Sequence, residues 1–411
     1  MTHQLYPRWQ KAKMMSALQT RRIVMLAGPR QTGKTTLARE VAGVEGEYRT
    51  LDDVALKAAA EIDPHGFIKS KAGTLVIDEV QRAPMLLPAL KKAVDANLRS
   101  GQYLLTGSAN FRALPGVQES LAGRIATVRL RPLAQGEILS RQPDFVSRAF
   151  AGEFGRATEM YDRDALLELA FRGGFPEAAR LSGSARRQWH LDYVDALIER
   201  DIRDISRIQR KDALLDLVGV LAAWSGKFMD VSAIGAGLSI RRPTLESYIN
   251  ALETMFVVER LLPWTRSDYE RVARLKKLFM SDSGLMASIL RWQFDQVRFD
   301  PDRSGKLIET FAFNEIAAQI DAAGGDMTLF HYRDREQREI DFIIERDDGT
   351  VLGIEIKAGS AVGASDFKHL KWFKGQHPKR SFTGVVLYSG SEALAFGEGF
   401  WAVPFAAMWA R

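Results

Sequence analysis

The spacing of apolar positions changes twice along this 411-residue chain. Near the start they come in short unbroken runs, Ile23 to Leu26, Leu75 to Ile77 and Tyr103 to Leu105. Unbroken runs of this length predict strands buried on both faces, as in a parallel sheet covered by helices. Tyr48 to Asp53 adds a further strand of the same sheet. In the middle, a spacing of three and four takes over. Leu245, Ile249, Leu252 and Met255 form one stripe of "RRPTLESYINALETMF", and Pro243 suits a first helical position. Helical "DALLDLVGVLAAWSG" and "VSAIGAGLS" precede it, and the strand-like runs "VVERLLPW" and "LKKLFMSD" follow. Near the end, "REIDFIIERDDGT" and "GIEIKA" alternate strictly and predict a hairpin turning at Asp347-Asp348-Gly349. A three-residue loop ending in Gly349 pairs Arg346 with Thr350. That register sets Asp341 across from Glu355 and Glu339 across from Lys357, and collects Ile340, Phe342, Ile354 and Ile356 on the other face.

The first apolar run leads into a glycine-rich turn and a helix. Gly28, Pro29, Arg30, Gln31, Thr32, Gly33, Lys34 and Thr35, followed by Thr36, fit the pattern G-x-x-x-x-G-K-[ST]. The glycines let backbone N–H groups curl around phosphate oxygens at the positive end of the new helix. Lys34 is placed for the β- and γ-phosphates and Thr35 for Mg²⁺. Asp78 and Glu79 emerge from the second run, Asp78 to hold the hydrated metal and Glu79 to orient an attacking water. Thr106, Ser108 and Asn110 follow the third run, and either Ser108 or Asn110 can sense the terminal phosphate. Arg124, in "SLAGR", is a candidate catalytic charge, in cis or from a neighbouring subunit. No guanine-reading N-K-x-D pattern is present, which favours ATP.

Charge and composition narrow the partners. Basic residues outnumber acidic ones 21 to 13 in 1–145, balance at 23 to 22 in 146–300, and fall behind at 13 to 16 in 301–411. A basic front end suits anionic ligands such as nucleotides or DNA. The absence of cysteine excludes disulfides and thiolate metal sites. No apolar run is long enough to span a membrane. The expectation is a cytoplasmic protein with ATP, DNA, a protein partner or a second copy of itself as partners.

Helix, helix, helix and hairpin is the order of a winged helix-turn-helix. On that reading Arg241, Arg242, Thr244, Ser247 and Asn250 face DNA, with Arg271, Arg274, Lys276 and Lys277 on or beside the wing. In the last segment, Asp341 and Glu355 across the hairpin are candidate ligands for a second Mg²⁺ or Mn²⁺, with Lys357 as the catalytic cation. Glu309 is the expected third acid, because it lies in the otherwise apolar row of Phe313, Ile316 and Ile320.

In this order, "GPRQTGKTTL", "LVIDEVQ", "LLTGSAN", "SLAGR", "RGGFPE", "MSDSGL" and "REIDF…GIEIKA" resemble a prokaryotic family of AAA-type ATP-binding proteins. Its members join a P-loop module to a C-terminal domain of unknown function with a PD-(D/E)xK nuclease-like fold. Ile340 stands where that nuclease pattern has proline. The resemblance implies ATP binding, and hydrolysis through Lys34, Thr35, Asp78 and Glu79. The expected architecture is α/β throughout. It comprises a parallel-sheet AAA-type ATPase domain (1–140), a linker and helical connector (141–210), a winged helix (211–285) and a restriction-endonuclease-like α/β domain (286–411). Two functions compete. One is a Mg²⁺-dependent ATPase acting on or regulated by DNA; the other is an ATP-dependent switch whose nuclease-like domain is an inactive scaffold.

Overall fold

The computed structural model describes residues 5–43, 46–70, 73–108, 121–154, 159–205, 211–238, 240–265 and 275–409. Contacts divide the chain into two compact units. One comprises Arg8–Pro132 with Asn250–Val257; the other comprises Met1–Pro7, Leu133–Ile249 and Val258–Arg411. Asn110, Arg271 and Arg274 lie outside the described residues.

The first unit is built on five parallel strands, β1 (Ile23–Ala27), β2 (Glu47–Thr50), β3 (Leu75–Asp78), β4 (Tyr103–Gly107) and β5 (Ile125–Arg129), in the order β2-β3-β4-β1-β5. Alternate residues of the apolar runs feed two cores. Ile23, Met25, Ile77 and Leu105 enter one, and Val24, Leu26, Val76 and Leu104 enter the other. Burial on both faces explains why these strands read as continuous rather than alternating runs. Because β4 lies between β1 and β3, the carboxyl ends of all three meet at one edge. Helix α1 (Gln10–Thr20) precedes β1, α2 (Lys34–Ala42) follows it, and α3 (Leu86–Ala96) lies between β3 and β4.

In the second unit, α4 (Arg163–Arg172), α5 (Gly183–Ile205), α6 (Lys211–Trp224), β6 (Lys227–Phe228), α7 (Val231–Gly235), α8 (Arg242–Thr254, whose residues from Asn250 on count with the first unit), β7 (Val258–Leu261) and β8 (Lys277–Met280) follow in chain order. The three short strands form an antiparallel sheet in the order β6-β8-β7. Two of the quoted stretches lock together here. Asp282 caps α9 (Ser283–Ile289) by accepting from Leu285 N at 2.7 Å, and its other oxygen accepts from Gly174 N at 2.6 Å. A Cβ on Gly173 would sit 2.3 Å from that carboxylate, so only glycine fits.

The stretch from Gln142, weak in apolar pattern, holds a short helix within the described residues 142–154. Phe145–Ala151 forms a helix whose Val146 N donates to Gln319 and whose Arg148 donates to Ala407 O. Long-range partners stand in for the missing periodicity.

Beyond it, α10 (Pro301–Ala323) packs beside a six-stranded mixed sheet. The strands β9 (Met327–Arg333), β10 (Glu339–Arg346), β11 (Val351–Ile356), β12 (Phe382–Tyr388), β13 (Leu394–Ala395) and β14 (Phe400–Pro404) are ordered β13-β14-β12-β11-β10-β9. β9, β10 and β11 are antiparallel neighbours, whereas β11, β12 and β14 run parallel, with α11 (Lys368–Gln376) between β11 and β12. The hairpin has the expected register: Phe342 pairs with Ile354, and Arg346 N donates to Thr350 O across a turn with Gly349 at φ 80°.

Candidate active site and a second acid cluster

The loop between β1 and α2 folds as its glycines require. A Cβ on Gly28 would lie 2.1 Å from Leu130 O, so the loop and the chain after β5 approach closely only because the side chain is absent. Gly33 takes φ 91° at the start of α2, a conformation that costs glycine least. Within the loop, Lys34 Nζ donates to Pro29 O at 2.7 Å and Thr32 Oγ1 donates to the same carbonyl at 2.9 Å. Arg8 braces it from outside, donating to Thr32 O at 2.6 Å and to Arg131 O at 2.7 Å. Sequence reasoning gave Arg8 no role, since it precedes the motif by a full helix.

Asp78 ends β3 beside this loop, within reach of three hydroxyls. Thr35 Oγ1 donates to its Oδ2 at 2.9 Å, Tyr48 Oη to the same oxygen at 2.6 Å, and Thr106 Oγ1 to Oδ1. Burial, and then the neighbouring Asp78 carboxylate, push the Tyr48 phenol above its ordinary value. Glu79 adopts φ 59°, unusual for a residue with a side chain and of the kind that clusters at functional sites. Its amide donates to Thr106 Oγ1 at 3.2 Å, and its Oε2 accepts from Gln81 Nε2 and from Ser108 Oγ at 3.4 Å. Gln81 also donates to Ser108 Oγ at 3.1 Å. Lys34, Thr35, Asp78, Glu79 and Ser108 thus share one sheet edge. Tyr48 and Gln81 join them, each without a role in the sequence reading.

Arg124 does not. It precedes β5, whose first residue pairs with Ile23, so a whole strand separates it from the carboxyl edge, about 16 Å at 3.3 Å per residue. Its guanidinium grips Asp95 at 2.6 and 2.9 Å. Within this chain the expected catalytic role is therefore corrected: the parallel direction of β5 carries Arg124 to the opposite end of the sheet.

In the second unit, Asp341 and Glu355 face each other as expected, and the Glu309 carboxylate joins them from α10. The cation among them is Lys277, not Lys357. Lys277 Nζ lies 2.6 Å from Glu309 Oε1 and 3.5 Å from Asp341 Oδ1, with only 4% of its side chain exposed. Asp341 Oδ2 also accepts from Ile356 N at 2.9 Å. Lys357 instead pairs with Asp366 at 2.6 Å on the outside. Lys277, expected beside a DNA-facing wing, is thus also reassigned. Burial alone would lower its pKa, but Glu309 and Asp341 outweigh burial and raise it. Burial pushes Glu309 up to about 7 despite Lys277, and burial together with Asp341 holds Glu355 well above the usual carboxylate range. Among the described residues, no group of three or more histidine, aspartate or glutamate side chains is arranged to hold a metal ion. The expected Glu309–Asp341–Glu355 metal set is corrected accordingly, since an ammonium already stands at its oxygens.

Three family matches tile the chain. Residues 20–139 match the AAA domain, 163–296 match a domain of unknown function (DUF8612), and 304–408 match another (DUF4143). An uncharacterized protein of Mycobacterium tuberculosis and another of Mycobacterium bovis are each 27% identical over 86% of this chain and 74% of their own length. The Walker-type ATPase of Pyrococcus abyssi superposes with a TM-score of 0.43 at 15% identity, over 70% of this chain and 99% of that one. The Thermotoga maritima RuvB Holliday junction branch migration motor gives 0.29 at 21%, over 65% and 95%. No described helix is long and apolar enough to cross a membrane. With the phosphate loop, the acid pair and the family match all falling on one stretch, residues 20–139 are an AAA domain of the ATP-binding P-loop ATPases.

Proposed function

We propose that the protein hydrolyses ATP with Mg²⁺ and couples turnover to DNA. One observation carries the hydrolytic reading: Asp78 is held by the hydroxyls of Thr35, Tyr48 and Thr106, neutral donors that orient its carboxylate. Neutral donors can be exchanged for the water shell of a hard cation, so the residues fit Mg²⁺. Thr35 and Asp78 would hold the metal, and Gly28 to Thr36 the phosphates. Bound MgATP supplies the transferable phosphoryl group and a Lewis acid to polarise it. The chain's own share is to release Lys34 from Pro29 O toward the phosphates and to fix Glu79 through Gln81 and Ser108. From there the Glu79 carboxylate orients a water and accepts its proton. Lys34→Ala should lower kcat/KM for ATP on the order of a hundredfold or more. Turnover unchanged in this variant would sink the reading.

The coupling to DNA is supported by α8. Arg241, Arg242, Thr244 and Ser247 are exposed while Leu245 and Ile249 are buried, and the helix–strand–helix–helix–hairpin order with sheet β6-β8-β7 supports a winged-helix reading. Duplex DNA should raise ATP turnover, less so as salt increases. Turnover indifferent to DNA would favour the second reading, an ATP-dependent switch with a C-terminal interaction scaffold. The α10–β9–β10–β11–α11–β12 order supports a nuclease-like fold, but Lys277 between Glu309 and Asp341 favours a scaffold over a cutting site.

A further inference from the structure

Lys277 is presented to the acid cluster by a docked strand. On β8 it shares a face with Phe279, whose ring stacks on Phe313 of α10 at 4.3 Å and lies 5.8 Å from Phe342 of β10. The same face of α10 fastens the strand and the turn between α6 and β6. Thr310 Oγ1 lies 2.8 Å from Ser225 Oγ, which accepts from Met280 N at 3.0 Å, and Asn314 donates to Met280 O at 3.1 Å. Glu309 lies on that helical face too, and a Cβ on Gly226 would come within 3.1 Å of its Oε2.

The surroundings of the ammonium are of two kinds. Glu309 and Asp341 are its charged neighbours, with Glu355 hydrogen-bonded to Asp341. The rings of Phe228 and Phe279 each lie 5.7 Å from Nζ. Aromatic faces attract an organic ammonium but offer no lone pair to a divalent ion. A Mg²⁺ or Mn²⁺ ion would need the same carboxylate oxygens at about 2 Å, where the ammonium already stands. Glu339, the remaining nearby acid, is paired with Arg333 at 3.0 Å. One ammonium faces three carboxyl groups, and burial raises both Glu309 and Glu355.

We propose that Lys277 is a tethered substitute for a metal: its ammonium is the resident cation of the Glu309–Asp341–Glu355 cluster, and this domain binds no divalent ion there while β8 is docked. The cluster then serves as a lock between the three-stranded sheet and the mixed sheet rather than as a hydrolytic centre. Metal binding in the absence of nucleotide is independent of whether the AAA domain turns over ATP.

The test is Mn²⁺ titration of the full chain without nucleotide, followed by the loss of the free-ion electron paramagnetic resonance signal. Wild type and Glu355→Gln should be indistinguishable. Lys277→Met should gain one Mn²⁺ per chain, at least tenfold tighter than any wild-type site, and lose it again in Lys277→Met/Glu355→Gln. Mn²⁺ should also raise the melting temperature of Lys277→Met and leave that of wild type unmoved. A wild-type Mn²⁺ site that disappears in Glu355→Gln would overturn the proposal, and that comparison needs no Lys277 variant. A folded Lys277→Met without a new site would overturn it equally.

Discussion

Two acid clusters at strand ends meet opposite fates in this molecule. Around Asp78 the side-chain donors are neutral hydroxyls. Around Asp341 an ammonium stands at 3.5 Å beside a backbone N–H donor, so a positive charge already faces the carboxylate. The difference is one of chemistry rather than position, because both carboxylates lie beside a helix and a buried strand. A neutral donor orients an acid and leaves it free to recruit a cation; a positive one both orients and satisfies it. The largest effect that sharpens this contrast lies at the first cluster. Glu79→Gln should cut ATP hydrolysis about 10²–10⁴-fold, the share of a positioned general base, while nucleotide binding persists in a fluorescent-nucleotide assay. Loss of binding together with turnover would mean that Glu79 shapes the loop rather than the water.

The second cluster responds through stability. Lys277→Met strands Glu309, Asp341 and Glu355 without a counter-charge, and breaking such a buried pair costs about 3–5 kcal/mol. Urea unfolding at pH 8 should show this loss in full. At pH 5 the loss should shrink, because protons on the carboxyls can replace the missing ammonium. Equal losses at both pH values would show that Lys277 acts by packing against Phe228 and Phe279 alone.

What the sequence revealed follows from how far apart the partners lie. The phosphate loop is contiguous, so its chemistry and its place between a strand and a helix can be read together. Asp341, Glu355 and Glu309 were legible because alternation and a helical stripe each fix a face, and an acid on the wrong face stands out. Lys277 was not, since it lies 64 residues from Asp341 and follows a polar stretch that reads as surface. One signal was present: in "KLFM" Lys277 shares its face with Phe279, as Glu309 does with Phe313. A motif carries no strand direction, and within this chain that direction sets Arg124 away from the phosphate loop; its expected role from a neighbouring subunit is a separate matter.

A third buried acid separates burial from pairing. Glu315 is 2% exposed and accepts only from neutral donors, Gln135 N and Trp409 Nε1, both at 2.7 Å. Burial raises it to about 7, although the hydrogen bonds from Gln135 and Trp409 and the charge of Arg172 pull the other way. Between the two values the folded state holds a proton that the unfolded chain has released, so the contribution of Glu315 to stability is full below pH ~4.5 and is lost as pH rises through about 7. The full shift corresponds to roughly 3 kcal/mol. Glu315→Gln should remove that share of the slope between pH 5 and 7.5, whatever it does to stability at either end. An unchanged slope would place the proton elsewhere.

The smallest effect asks whether the hydroxyl ring around Asp78 is a set or a coincidence. Tyr48 is held over Asp78 by its own packing, with the Arg39 guanidinium 3.9 Å from its ring centre. Tyr48→Phe therefore deletes one donor and leaves the ring in place. Thr35 and Thr106 still orient the carboxylate, so the loss should be that of one hydrogen bond to a charged acceptor, about 1.5–3 kcal/mol at most and less where water refills the gap. Hydrolysis should fall several-fold, and the Mg²⁺ concentration for half-maximal rate should move with it. If neither moves, two hydroxyls suffice and the contrast with Lys277 rests on Thr35 and Thr106. If the rate falls at unchanged Mg²⁺ dependence, Tyr48 serves the geometry of Asp78 rather than its readiness for the ion.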